Sequence, residues 1–208
     1  MMPEGWRQAF AIHSTTVEYR ERLAQAQAVA GDALQRSAKP YLAYSGGKDS
    51  TVLVSIVVAL DPTVAVIHSD EGSTTRVLDE IITVARGNGA SGVDVRQPLN
   101  VHTIAAEGCD LVFVGLRREE SGRRRRRMDA GDQFGSIPEC WPLADWTWRD
   151  VWAYLVSNNA PYLSLYDRVA PVVGYDKARY HHLFDPKIAQ TGNMTTDGVF
   201  HWRDRGPR

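Results

Sequence analysis

From residue 40 onward apolar and polar positions fall in alternating blocks, and the blocks spell out strands and helices in turn. Residues 41–44, 63–68, 92–96 and 111–115 are short runs rich in apolar and β-branched residues, bounded by Pro, Gly, Asp or Lys. Val64-Ala65-Val66-Ile67 and Leu111-Val112-Phe113-Val114 are continuously apolar, the pattern of strands covered on both faces. Between them, residues 50–60, 74–87 and 100–106 read as helices. This order predicts an α/β fold: a Rossmann-like twisted parallel sheet with helices on both faces, in a single domain covering residues 1–208. Ahead of it, residues 14–36 carry an alanine-rich helical pattern, with Thr15 and Glu18 at capping-box spacing and an end near Ser37. After it, Thr147 caps a helix on which Trp148, Val151, Trp152 and Leu155 form an aromatic-apolar stripe, read as core rather than as a ligand platform.

In a parallel sheet, ligands sit beyond the carboxyl ends of the strands, and three polar clusters follow strands directly. The first is Ser45-Gly46-Gly47-Lys48-Asp49-Ser50, a strand-to-helix joint in which two glycines let the backbone approach an anion and one lysine adds charge. Arginine far outnumbers lysine in this chain, so a lysine here stands out. A Walker A loop needs glycine where Leu42 stands, so this is a different phosphate loop. The second cluster, His68 to Gly72, offers the Asp70 and Glu71 carboxylates either as magnesium ligands or as caps of the helix near Thr74; Asp49 has the same two readings. The third, Gly115 to Arg127, brings Arg117 and Arg118 beside Glu119 and Glu120 and then five consecutive arginines. Guanidinium groups suit bidentate contacts with phosphate or sulfate, and the glutamates can turn some of them inward. Arg117 and Arg118 are the expected ligands. The run Arg123–Arg127 reads as a solvated mobile loop, an anion lid or a nucleic-acid contact.

Composition narrows these readings. A formal net charge of −1 gives no global attraction to nucleic acid or membrane. The first residues do not read as a signal peptide, and the longest apolar run, Val52–Leu60, is too short for a bilayer, so a cytoplasmic protein without membrane contact is expected. Cys109 and Cys140, the only cysteines, read as buried thiols, too few for a cysteine-built metal site. His181-His182 lacks ligands at metal spacing, so no metal is assigned there.

The loop Ser45-Gly46-Gly47-Lys48-Asp49-Ser50 resembles the PP-loop of N-type ATP pyrophosphatases. In order after it, Gly115-Leu116-Arg117-Arg118-Glu119-Glu120-Ser121, Pro142 to Trp152 and Pro161-Tyr162-Leu163-Ser164-Leu165-Tyr166-Asp167 resemble the phosphoadenosine phosphosulfate (PAPS) reductase family. The resemblance covers residues 38–168, between the N-terminal helix 14–37 and a C-terminal extension, 169–208. It implies an adenine nucleotide alpha-hydrolase-like fold. The family groups sulfonucleotide reductases with adenylylating enzymes. Those reductases use a cysteine in a C-terminal Glu-Cys-Gly segment, which Phe200–Arg208 does not contain, and tend to have an altered loop, whereas Lys48 and both glycines are kept here.

These departures point to ATP with magnesium, cleaved between the α- and β-phosphates to adenylylate an anionic acceptor and release pyrophosphate. Ser45, Gly46, Gly47, Lys48 and Ser50 would cradle the pyrophosphate, Asp49 and Asp70 would hold magnesium, and Lys48, Arg117 and Arg118 would act on the reacting groups. The alternatives are a sulfonucleotide reductase using Cys109 or Cys140, and a catalytically silent adenine-nucleotide-binding subunit. A homodimer or a partner subunit is open on this reading, and nucleic acid is the weakest partner.

Overall fold

The computed structural model describes residues 1–70, 73–97, 101–131 and 137–179. Among the described residues, five parallel strands form one sheet: β1 (Pro40–Ala43), β2 (Ala65–Ser69), β3 (Asp94–Arg96), β4 (Leu111–Val114) and β5 (Glu139–Cys140), in the order β3-β2-β1-β4-β5. The α/β class and the Rossmann-like parallel sheet are as the sequence predicts. Strand β5 escapes sequence reading because two residues are too short for a period-two pattern. The chain passes from β1 outward to β3 on one side and returns to β4 on the other. The reversal leaves a crevice between the carboxyl ends of β1 and β4, where ligands bind in such sheets.

Ten helical residues stand ahead of the helix that the sequence predicts. They form α1 (Glu4–His13), followed by α2 (Val17–Arg36). The cap is Thr16, whose side chain accepts from Tyr19 N, and not Thr15, whose hydroxyl donates to Ile12 O at 2.8 Å. The Thr-Thr pair made the two registers indistinguishable by sequence, and closing α1 first uses Thr15.

The remaining helices are α3 (Lys48–Leu60), α4 (Thr75–Gly87), α5 (Val101–Ala106), α6 (Gly122–Asp129), α7 (Trp148–Ser157) and α8 (Leu165–Val173). Helix α3 is the central one: Val52, Leu53, Val54, Ile56 and Val57 are all buried, because α2 and α7 cover the face that the sheet does not. In α7, Thr147 and Asp150 close a capping box. The aromatic stripe of α7 is core, as expected. Trp152 is fully buried, donates its indole N–H to Tyr175 O at 3.0 Å, and meets Phe10, Tyr162, Tyr166 and Tyr175 with ring centroids 5.2–6.0 Å apart. Pairs of this kind contribute about 0.5–1.5 kcal/mol each beyond burial. They tie α1, α7 and α8 together and fix the side chain of Tyr166.

Candidate functional site

The loop after β1 turns through Gly46 at φ 81°, where a Cβ would lie 2.9 Å from the Ile81 side chain. Both the left-handed backbone and the close approach require glycine at this position. Gly47 is the N-cap of α3, and its carbonyl accepts from the Ser50 and Thr51 hydroxyls at 2.9 Å each. Ser45 and Ser50 join hydroxyls across the turn at 3.0 Å. From the other side, Gly115 after β4 comes so close that a Cβ would sit 3.0 Å from Ser50 N and Cα. The two loops at the crevice are therefore in van der Waals contact, which sets Arg117 against the head of α3.

Lys48 is wholly buried, with its ammonium 3.0 Å from Asp49 Oδ2 and 5.9 Å from the centroid of the Tyr166 ring. Arg117, 1% exposed, donates from Nε to Asp49 Oδ1 and from Nη1 to Glu119 Oε2 at 2.8 Å. Glu119 also accepts from Trp148 N at 2.7 Å, so the carboxylate that orients Arg117 also serves the first turn of α7. Glu120 accepts from Arg117 N at 3.1 Å and pairs with Arg124. Lys48, Arg117 and Arg124 are thus matched one for one by Asp49, Glu119 and Glu120.

This pairing governs ionisation. Burial opposes the charge on Asp49, but Arg117 and Lys48 beside it outweigh burial and hold the carboxyl well below the usual carboxylate range. For Lys48 burial dominates and pulls the ammonium below its ordinary value, against the attraction of Asp49. For Arg117 burial again opposes the charge, yet Asp49 and Glu120 raise its value.

Several expected roles change in this geometry. Asp49 is engaged by two cations, as a counter-ion rather than a metal ligand. Asp70 accepts from Ser73 N at 2.8 Å and Gln97 Nε2 at 2.5 Å, bracing the chain ahead of α4; Glu71 lies outside the described residues. Among the described residues, no three His, Cys, Asp or Glu side chains gather as a metal-binding group. Arg118 does not join Arg117. It pairs with Asp129 at 3.1 Å and with Asp145, and lines a groove of about 530 Å³ between α2 and β5 together with Arg22, Val29 and Cys140. The run Arg123–Arg127 is no loop: it is the body of α6, where Arg124 pairs with Glu120 and Arg127 with Glu139. The Ser121 side chain accepts from Arg124 N and caps this helix, a serine N-cap that the sequence itself carries.

Neither thiol reaches the loop. Cys109 lies ahead of β4, at the amino-end edge of the sheet, packed with Tyr41, Ile67, Ile104 and Val112. Cys140 faces the groove, where its Sγ lies 3.9 Å from Val29 O, and burial pushes it up to about 11. Burial also raises Cys109. His181 and His182 and the C-terminal segment Phe200–Arg208 fall outside the described residues.

Two participants were not read from the sequence. His68, buried at the end of β2, donates from Nδ1 to Tyr44 O at 2.7 Å and steadies the start of the loop. Tyr166 accepts from Lys48 N at 3.0 Å through its hydroxyl. Each lies in a segment that the sequence singles out, His68 to Gly72 and Pro161 to Asp167, but its own role shows only in contacts made across the fold.

Residues 97–178 match the family described as the phosphoadenosine phosphosulfate reductase domain. Among curated proteins, an adenosine 5'-phosphosulfate reductase of Geobacillus thermodenitrificans is 47% identical over 93 residues, 44% of this chain and 39% of that protein. One from Lysinibacillus sphaericus is 43% identical over 72 residues, 34% of this chain and 30% of that protein. The matches therefore span well under half the length of these relatives. Among solved structures, a phosphoadenylyl-sulfate reductase from Candida auris in a phosphate complex aligns with a TM-score of 0.52 at 15% identity, over 81% of this chain and 93% of that one. The U34-tRNA thiolase NcsA of Methanococcus maripaludis, with its [4Fe-4S] cluster, aligns with a TM-score of 0.50 at 13% identity, over 76% and 74%. The two structures speak for the fold alone, and the family resemblance read from the sequence is borne out. The relatives overturn the ATP-dependent adenylyl transfer with magnesium inferred from the intact loop, because they are named as reductases of a sulfonucleotide. Two cysteines on different parts of the sheet do not fit a cysteine-ligated cluster held by this chain alone. No described helix is long and apolar enough to cross a membrane.

Proposed function

We propose that this chain binds an adenine sulfonucleotide at the Ser45–Ser50 loop, as the nucleotide-handling part of a sulfonucleotide reductase. One observation carries the reading: the matched stretch 97–178 contains Arg117 and Tyr166, which meet the loop in space, and Glu119 and Glu120, which hold Arg117 in place. The loop offers what a phosphosulfate needs, namely converging backbone N–H groups at the head of α3 and the Ser45 and Ser50 hydroxyls, with the Arg117 guanidinium close behind.

The reaction proposed is attack of a thiolate on the sulfate sulfur. The new S–S bond forms as the bond from sulfur to the bridging phosphate oxygen breaks, AMP leaves with that electron pair, and a second thiol then releases sulfite and closes a disulfide. The chain's part is to bind the nucleotide and to stabilise the charge developing on the leaving phosphate. Cys109 and Cys140 are poor nucleophiles at neutral pH, since burial raises both. The thiols are therefore assigned to a donor beyond these 208 residues.

Calorimetric titration with adenosine 5'-phosphosulfate, its 3'-phosphorylated form, AMP and ATP tests the binding. A sulfonucleotide should bind at least tenfold more tightly than AMP or ATP. Equal affinity for all four, or none for the sulfonucleotides, would overturn the reading. Sulfite release with a small dithiol as donor tests the chemistry.

A further inference from the structure

The loop sequence that fits a pyrophosphate sits in a chain whose relatives handle a sulfonucleotide, and the geometry points to Tyr166 as the residue that decides between them. We propose that Tyr166 is a specificity-determining residue, occupying with its hydroxyl the position at the head of α3 that a terminal phosphate of a nucleoside triphosphate would need. This rests on the sulfonucleotide reading above and names what enforces it.

The argument starts from the helix terminus. The first N–H groups of a helix lack partners within it, and at a phosphate loop they are the donors that meet a polyphosphate. In α3 the first of them, Lys48 N, donates to the Tyr166 hydroxyl at 3.0 Å. A phosphate oxygen accepting from the same N–H would have to stand where the tyrosine oxygen stands. The oxygen cannot drift aside, because Tyr166 is 3% exposed and its ring is held edge-on by Trp152 at 5.5 Å and by Tyr162 at 6.4 Å.

The Lys48 ammonium lies over the same ring, 5.9 Å from its centroid, and is paired with Asp49 at 3.0 Å. Lys48, Arg117 and Arg124 are each already engaged by a carboxylate, so a third phosphoryl group would have to compete for them. A phosphosulfate is one tetrahedral unit shorter than a triphosphate and carries fewer charges. It is served by the later N–H groups of α3 and by the Ser45 and Ser50 hydroxyls, which turn to it from their contacts with each other and with Gly47 O. The intact loop sequence and the sulfonucleotide relatives are reconciled on this account, since the side chain that closes the pyrophosphate seat comes from 118 residues further along the chain.

Tyr166→Phe removes the hydroxyl and keeps the ring, and Tyr166→Leu also opens the space beside Lys48. In calorimetric titrations with adenosine 5'-phosphosulfate, ATP and inorganic pyrophosphate, the ratio of ATP to phosphosulfate affinity should rise at least tenfold in the Phe variant and further in the Leu variant. Independently, the Lys48 amide resonance of the unsubstituted protein should hold its position when pyrophosphate is added. A ratio unchanged in both variants, or a Lys48 amide in the unsubstituted protein that shifts strongly with pyrophosphate, overturns the role of Tyr166 while leaving phosphosulfate binding intact. Absence of phosphosulfate binding by the unsubstituted protein overturns the underlying reading instead. If neither variant folds, the amide measurement decides alone.

Discussion

Arg117 and Arg118 are neighbours in the chain and strangers in the fold. Backbone at Arg117 is extended, φ −127° and ψ 139°, so consecutive side chains leave on opposite sides. Arg117 turns into the crevice between β1 and β4, where it is 1% exposed and bonded to Asp49 and Glu119. Arg118 turns to the groove between α2 and β5, its side chain 35% exposed and paired with two carboxylates that are more exposed still. One charge sits where water cannot screen it and the other where water can. The same residue type therefore carries different consequences: the interior pair organises a site, while the outer pairs are solvent-screened contacts of small net effect.

Removing each arginine should break the comparison most visibly in stability. Arg117→Ala leaves Asp49 buried with only Lys48 for company, and the expected loss is roughly 3–5 kcal/mol, as when one partner of a buried ion pair is deleted. Arg118→Ala should lose less than about 1 kcal/mol, the range for exposed pairs. Urea unfolding of both variants measures this, and similar losses would mean that burial does not separate them.

Ligand affinity should divide the two in the same direction. Arg117→Lys keeps a positive charge but gives up the planar fork, so adenosine 5'-phosphosulfate should bind about tenfold more weakly, the equivalent of one charge-assisted hydrogen bond. Arg118→Lys should bind it within about twofold of the unsubstituted protein. Titration calorimetry reads both, and a larger effect at Arg118 would put the ligand in the groove.

Acid sharpens the contrast through Asp49. Its carboxyl in the folded protein lies below the unfolded value near 4, so the stability it contributes is complete above that pH and is lost as pH falls from there toward the lower folded value. Unfolding midpoints between about pH 6 and pH 2 should therefore fall steeply in the unsubstituted protein and less steeply in Asp49→Asn. Parallel curves would mean that another carboxylate, such as the buried Asp150, dominates the acid limb.

The smallest effect belongs to the groove's thiol. With Cys140 raised to about 11, alkylation at pH 7.5 should be slow, and Cys140→Ser should leave phosphosulfate affinity within about twofold. Protection of Cys140 from alkylation by bound nucleotide would join the two regions after all.

Much of the crevice was readable along the chain. Ser45 to Ser50 combines a glycine pair, a lysine and an apolar helix in one continuous segment, so the turn and the helix start are written in neighbouring residues. The pairing of Glu119 and Glu120 with nearby arginines was also readable, because the partners lie within a few positions. What went unread depended on distance. Asp49 presents the same sequence whether a metal or Arg117 neutralises it, and the choice rests on a contact across 68 residues. The five arginines look alike in one dimension. Folding into α6 sorts them, since Arg124 and Arg127 lie three apart on the side that finds Glu120 and Glu139.

The sequence by itself determined the parallel α/β class, the place of the Ser45–Ser50 loop at the head of α3, and the family resemblance, because hydrophobic period and glycine geometry are local properties. Tertiary structure alone decided which arginine enters the site, that Asp49 is a counter-ion, and that a tyrosine from α8 meets the first N–H of α3. Charge and hydrogen bonding act through space, and their strength depends on burial that no single segment sets.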